Sequence, residues 1–410
     1  SDLGKKVKAE NGADQKERTI NGRRYAFDEN GAMVAEWSLD VDDPSDPTAT
    51  ANNTYGQDVA DLTTATNAAS KSAVRTQIAK YTHQWRYFSD VEDGARITRG
   101  WFKVVPAEYL DENVYDDDEE NWYYADGSGK LYAGEFKTIN GKKFAFRNDG
   151  RCVFGLKFIK KDEGTGEKSL DVRADDDGTL PFDEADLFDD NAPIYEADGY
   201  RAYYFGPTGD ASTDGAMRTG RQTVSIGGED YTFYFETSGS KKGQGVTGEQ
   251  DDRYYQSGKL LAAGSDEKYQ VVMRAPLTDA DGNVLYEADG KTPVGYSYKL
   301  VDDVETLLAK FTEGKHYIKV TNLGNDDDKR DMGDEYNIAS LNKKAEDLDE
   351  LYVFRADGKK DGAFTLDEKN YFLVNTSGRV VDKKGRSRDG NDYYFVTGNN
   401  GQIQAIYLEN

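Results

Sequence analysis

The feature that most constrains this chain is a repeat of fixed length. Asn121-Trp-Tyr-Tyr-Ala-Asp-Gly-Ser-Gly-Lys-Leu-Tyr-Ala-Gly134 runs on through Glu-Phe-Lys-Thr-Ile139 and then says much the same again, as Asn140-Gly-Lys-Lys-Phe-Ala-Phe-Arg-Asn-Asp-Gly-Arg-Cys-Val-Phe-Gly155. Gly129 and Gly150 stand 21 residues apart, as do Gly134 and Gly155. Each copy has an aromatic strand with alternating rings (Trp122 and Tyr124, then Phe144 and Phe146), a turn of Asp, Asn and Gly, and a second short strand closing on glycine. That pattern reads as one β-hairpin per copy. A lone hairpin cannot bury its aromatic face, whereas neighbours at a fixed period bury it for each other. The expected fold is therefore mainly β, a solenoid of stacked β-hairpin repeats with inserted loops and short helices.

Further copies extend the array in both directions. Thr19 to Trp37 is a complete unit, Gln84-Trp85-Arg-Tyr-Phe opens another, and Gly199-Tyr-Arg-Ala-Tyr-Tyr-Phe, Asp230-Tyr-Thr-Phe-Tyr-Phe, Tyr352-Val-Phe, Asn370-Tyr-Phe and Asp392-Tyr-Tyr-Phe continue it, giving about nine to eleven hairpins. Between them, residues 58–81 carry apolar positions at helical spacing (Val59, Leu62, Val74, Ile78), and residues 105–120 and 160–198 read as acidic insertions. From residue 269 to 351 the pattern loosens; Val304, Leu307, Leu308 and Phe311 mark a short amphipathic helix, and residues 338–348 suggest a second. Three segments follow: residues 1–159 with a helical insertion near 58–81, residues 160–265, and residues 266–410. The opening Gly4-Lys-Lys-Val-Lys resembles the second strand of a hairpin that lacks its first, as expected of a piece of a longer protein.

Composition limits the chemistry. Only 37% of residues are hydrophobic, yet 12% are aromatic, which points to a folded chain whose core is built from rings. A net charge of −25 disfavours nucleic acid and anionic membranes as partners. No apolar run approaches the ~20 residues needed for membrane insertion. The single Cys152 stands where Leu131 and Met33 stand in sister copies, and reads as a small core residue. With His83 and His316 as the only histidines, and no His-Glu-x-x-His or Gly-x-Ser-x-Gly, neither a catalytic site nor a cofactor is expected. Two Asp-rich loops, residues 173–184 and 357–368, approach the calcium-loop pattern but carry Arg173 and Lys359 where oxygen ligands belong, so they read as repeat turns.

Gly100-Trp101, Trp122-Tyr123-Tyr124 and Gly215-Ala-Met-Arg-Thr-Gly220, spaced by turn glycines, resemble the cell-wall-binding repeat family. That family includes the choline-binding and glucan-binding repeats of Gram-positive surface proteins and the receptor-binding repeats of clostridial toxins. The resemblance implies a non-catalytic hairpin solenoid outside the cell, at the cell wall or cell surface. It also implies a ligand caged between consecutive hairpins, by position at Trp101, Trp122 and Phe144 with Tyr124, and a second cage at Trp37 with Trp85. The Gly-Trp position holds Trp only at Trp37 and Trp101; Leu156 and Arg221 fill it elsewhere, and Phe136 sits one residue out of register. A quaternary ammonium needs about three ring faces, so at most two choline sites survive, while a sugar needs one or two. The expected partner is a cell-wall polymer or glucan, with choline on teichoic acid as a further candidate. The alternative is a structural or adhesive stalk presenting its acidic insertions to a host or partner protein.

Overall fold

The computed structural model describes residues 6–9, 15–39, 75–76, 78–107, 119–163, 168–174, 182–206, 215–313, 317–321, 348–354, 365–366, 369–381, 385–389, 392–398 and 401–409. The three sequence segments divide the chain by composition; packing divides it into two compact units, Ser1–Pro181 with Tyr203–Arg218, and Phe182–Ala202 with Thr219–Asn410. The first part of the expected helical insertion, residues 58–74, the acidic run 116–118, the second expected helix and most of both Asp-rich loops lie outside the described residues.

The first unit contains β1 (Lys16–Ile20), β2 (Arg23–Phe27), β3 (Glu36–Leu39), β4 (Trp85–Phe88), β5 (Gly100–Val104), β6 (Asn121–Ala125), β7 (Glu135–Ile139), β8 (Lys142–Phe146), β9 (Leu156–Glu163) and β10 (Lys168–Arg173). They pair antiparallel as successive hairpins: β1 with β2, β3 with β4, β5 with β6, β7 with β8, and β9 with β10. The frame differs from the sequence reading. The aromatic strand does not pair along its length with the short strand that follows its Asp-Gly turn; only a single bridge forms there, Ala125 to Leu131 and Phe146 to Cys152. It pairs instead with the strand before it. In β7–β8 the join is Asn140-Gly141, both left-handed with φ of 49° and 79°. That is the two-residue turn whose twist matches a hairpin, and Asn and Gly are the residues that tolerate it. The Asp turn closes a compact corner that redirects the chain into the next hairpin. There Asp126 Oδ1 accepts from the Ser128 and Lys130 amides, while the Gly129 amide donates to Asp126 O.

Residues 160–198, expected as an irregular insertion, begin as the long strand pair β9–β10 and end in helix α1 (Ala185–Ala197) of the second unit. β11 (Arg201–Tyr204) spans the boundary between units.

The second unit departs from the hairpin stack. Its strands are β12 (Gly220–Ile226), β13 (Glu229–Phe235), β14 (Gly248–Gln250), β15 (Arg253–Gln256), β16 (Lys259–Leu260), β17 (Tyr269–Pro276), β18 (Tyr296–Val301), β19 (Tyr317–Thr321), β20 (Leu348–Phe354), β21 (Thr365–Leu366), β22 (Lys369–Asn375), β23 (Gly385–Arg388), β24 (Tyr394–Thr397) and β25 (Ile403–Glu409). They merge into a five-stranded sheet β12-β13-β16-β15-β14, a four-stranded sheet β18-β17-β22-β21 and a five-stranded sheet β19-β20-β25-β24-β23. The expected run of separate hairpins is thus confined, among the described residues, to the first unit. The reason is legible in β22: Tyr371, Phe372, Leu373 and Val374 are all buried, so both faces are covered and the strand edges must find partners of their own. The amphipathic helix forms as expected, α2 (Val304–Glu313), with Val304, Leu307 and Leu308 packed against Val271, Leu373, Phe395 and Ile406.

Candidate functional site: a partly open aromatic seam

Residues next to each other on a strand face opposite ways. In the β5–β6 hairpin, Trp101 pairs with Tyr124, Phe102 with Tyr123 and Lys103 with Trp122. Phe102 and Tyr123 join one cluster with Trp37 and Trp85 of β3–β4, while Trp101, Trp122 and Tyr124 join another with Phe144 and Phe146 of β7–β8. One hairpin therefore packs through both faces, and the rings left at the margins of each seam are what a ligand can reach.

The forward seam brings together the four residues named for the first cage. Trp101 lies edge-on to Trp122 at 6.4 Å, to Tyr124 at 5.1 Å and to Phe144 at 4.8 Å between ring centroids. Trp101, Trp122 and Tyr124 are partly exposed, and Phe144, 2% exposed, forms the floor. Two further rings join the seam that were not assigned to the cage. Phe146 stacks on Trp101 at 5.8 Å, and Tyr132 stacks on Tyr124 at 5.2 Å with its plane only 6° away. Tyr132 follows the single bridge at Leu131, outside the strand alternation by which rings were sought.

Trp37 and Trp85 share the other cluster, because β3 pairs with β4 across the long insertion between them. Of these two tryptophans one is partly exposed, Trp37, and the other, Trp85, is buried. Trp37 is covered by Tyr123 at 5.0 Å and Tyr87 at 5.1 Å, its indole N–H donates to Val105 O, and Trp85 is only 7% exposed. Cys152 is buried as expected, and burial pushes its thiol far up.

Phe136 corrects the register read in the sequence. It is the second residue of β7, facing the next seam from the position Trp101 holds in β5. The left-handed residue two places earlier is Gly134 (φ 65°) in one hairpin and Arg99 (φ 50°) in the other, and each donates its amide to the residue after the aromatic strand, Arg147 O and Asp126 O. Counting from Gly100 misplaced the frame by one residue; Phe136 fills the ring position.

Titratable groups beside the seam are set by burial and by lysines. His83 donates from Nδ1–H to Leu131 O at 2.9 Å, and its pKa falls to about 4, first through desolvation and then through the charge of Lys130. Burial raises Tyr132. Burial also opposes ionisation of Asp126, but hydrogen bonds from Ser128 and Lys130 outweigh it and hold the carboxyl below its usual range. Among the described residues, no group of three or more His, Cys, Asp or Glu is placed to hold a metal ion.

No protein-family profile matches the chain, and no curated protein does. Solved structures do. Choline binding protein F from Streptococcus pneumoniae aligns over 94% of this chain and 91% of its own at 13% identity, with a TM-score of 0.28. CbpJ from Streptococcus pneumoniae TIGR4 aligns over 95% and 99% at 15% identity, TM-score 0.21. Alternansucrase in complex with isomaltononaose aligns over 96% of this chain but 18% of its own, at 12% identity and TM-score 0.21. These are the same class of neighbour that the repeat motifs resemble. At such scores the functional reading has to come from the seam itself.

Proposed function

We propose that this chain is a non-catalytic, extracellular binding module whose hairpin solenoid holds a cell-wall polymer or glucan against the seam of Trp101, Trp122 and Tyr124. The observation that carries the reading is the contrast between two seams of the same repeat. In the Trp37 seam Trp85 is buried and the partly exposed Trp37 has its indole N–H tied to Val105 O, while the Trp101 seam keeps both of its tryptophans and Tyr124 partly exposed around a buried floor. Tryptophans that only held hairpins together would be expected to be buried as Trp85 is. Partly exposed tryptophan and tyrosine present an apolar face with a polar tip, which suits the C–H face of a sugar ring. Choline on teichoic acid fits the same rings less well, because Phe144 and Phe146 already pack against Trp101. The test is a glycan array read beside a choline titration of tryptophan fluorescence, on wild type and on Trp122→Ala. Binding to a neutral glycan that falls at least about tenfold in the variant, about 1.4 kcal/mol, supports the reading. Wild type that binds nothing on the array and shows no choline response overturns it.

A further inference from the structure

The next seam differs in its chemistry. Phe136 holds the ring position there, and two ammonium groups of the chain lie over it: Lys143 Nζ at 5.0 Å and Lys161 Nζ at 4.9 Å from the ring centroid. A cation–π position taken by the protein's own lysines is denied to an external ammonium. Both distances refer to one centroid, so the two charges sit within about 10 Å of each other, one screening length at ~0.1 M salt. Lys168 joins them. Gly134, left-handed, lets the start of β10 approach so closely that a Cβ there would meet Lys168 O at 2.8 Å. Together Phe136, Lys143, Lys161 and Lys168 line a cleft of about 250 Å³ with Glu135 and Asp162. Both carboxylates are engaged by other cations: Asp162 by Arg75 at 2.9 Å and Glu135 by Lys137 at 3.5 Å. On a chain of net charge −25 this is a local cationic cleft.

We propose that the Phe136 cleft binds the repeating anionic group of an acidic glycan polymer, a sugar carboxylate or a phosphodiester, with Lys143, Lys161 and Lys168 meeting the charge. An anion in the cleft lies within reach of all three ammonium groups. The overall acidity of the chain opposes nucleic acid, whose charge density is far higher, more than it opposes a sparsely charged glycan. The proposal does not rest on the Trp101 seam.

The experiment measures binding of polygalacturonate, poly(glycerol phosphate) and duplex DNA to the full chain at about 20 mM and about 200 mM salt. Wild type binds at least one of the two acidic polymers, more tightly than DNA, and loses about tenfold in affinity at the higher salt. The triple variant Lys143→Gln, Lys161→Gln, Lys168→Gln loses at least about tenfold at low salt, while Lys→Arg at the same positions stays within about threefold. The Arg variant separates lost charge from a disturbed fold. Failure of both acidic polymers to bind, equal or tighter binding of DNA, insensitivity to salt, full binding by the Gln variant, or loss in the Arg variant would each overturn the assignment.

Discussion

Trp101 is gripped by Trp122, Tyr124, Phe144 and Phe146, and each such ring pair contributes about 0.5–1.5 kcal/mol beyond its burial. The residue is thus both structural and partly open, and a change there reads on stability as well as binding. His83, beside the same hairpin, is easier to isolate. Its folded pKa of about 4 lies below the ordinary 6.5, so protonation favours the unfolded chain. The associated stability is fully present above pH 6.5 and is lost as pH falls toward 4. Discounting for partial exposure, wild type should lose about 2 kcal/mol more than His83→Gln between about pH 7 and about pH 4.5. Urea unfolding at the two pH values measures this, and equal losses in both proteins contradict the burial argument. At this scale the sequence was informative wherever a ring sat on an alternating strand: Trp101, Trp122, Tyr124 and Phe144 meet as expected. Tyr132 was missed because it stands past a single bridge, where no periodicity marks it.

Five of the strand pairs, β1–β2, β7–β8, β12–β13, β14–β15 and β15–β16, turn on two-residue joins. Asn21-Gly22, Asn140-Gly141, Gly227-Gly228 and Ser257-Gly258 all place both residues at positive φ, with glycine second. The join of β14 to β15 does the same with Asp251 and Asp252, at φ 53° and 58°. An L-residue pays about 1–2 kcal/mol there, offset in a glycine variant by the entropy glycine gains on unfolding. The ion pair of Asp252 with Arg379 is exposed on both sides and contributes little. Asp252→Gly should therefore stabilise the chain by about 0.5 kcal/mol, readable as a higher urea midpoint at unchanged slope. A lower midpoint would show that the side chain does more than tolerate the turn. The turns also explain why the repeat was visible while its frame was not. Asp126-Gly-Ser-Gly129 is the louder signal, yet it makes a corner; the quieter Asn140-Gly141 makes the hairpin.

Across the whole molecule, the aromatic strands of the repeat were legible, and their grouping into sheets was not. From β1 to β8 the first unit keeps two-stranded pairs whose rings alternate between neighbours, so period and alternation both survive in the sequence. In the second unit the ring-rich strands read at Asp230, Arg253, Asn370 and Asp392 form, as does helix α2, but β17 and β22 are buried on both faces and alternation disappears there. The cationic Phe136 cleft was also hidden, because its lysines come from β8, β9 and β10 and converge only after folding. The proposed function rests on stacking that leaves both tryptophans of the Trp101 seam partly exposed. The most direct measurement is the equilibrium isotherm of Trp101→Ala on whichever polymer wild type binds best, taken with its unfolding curve. The account predicts a variant that remains folded and binds at least about tenfold more weakly. A folded Trp101→Ala protein binding the polymer as tightly as wild type would contradict it.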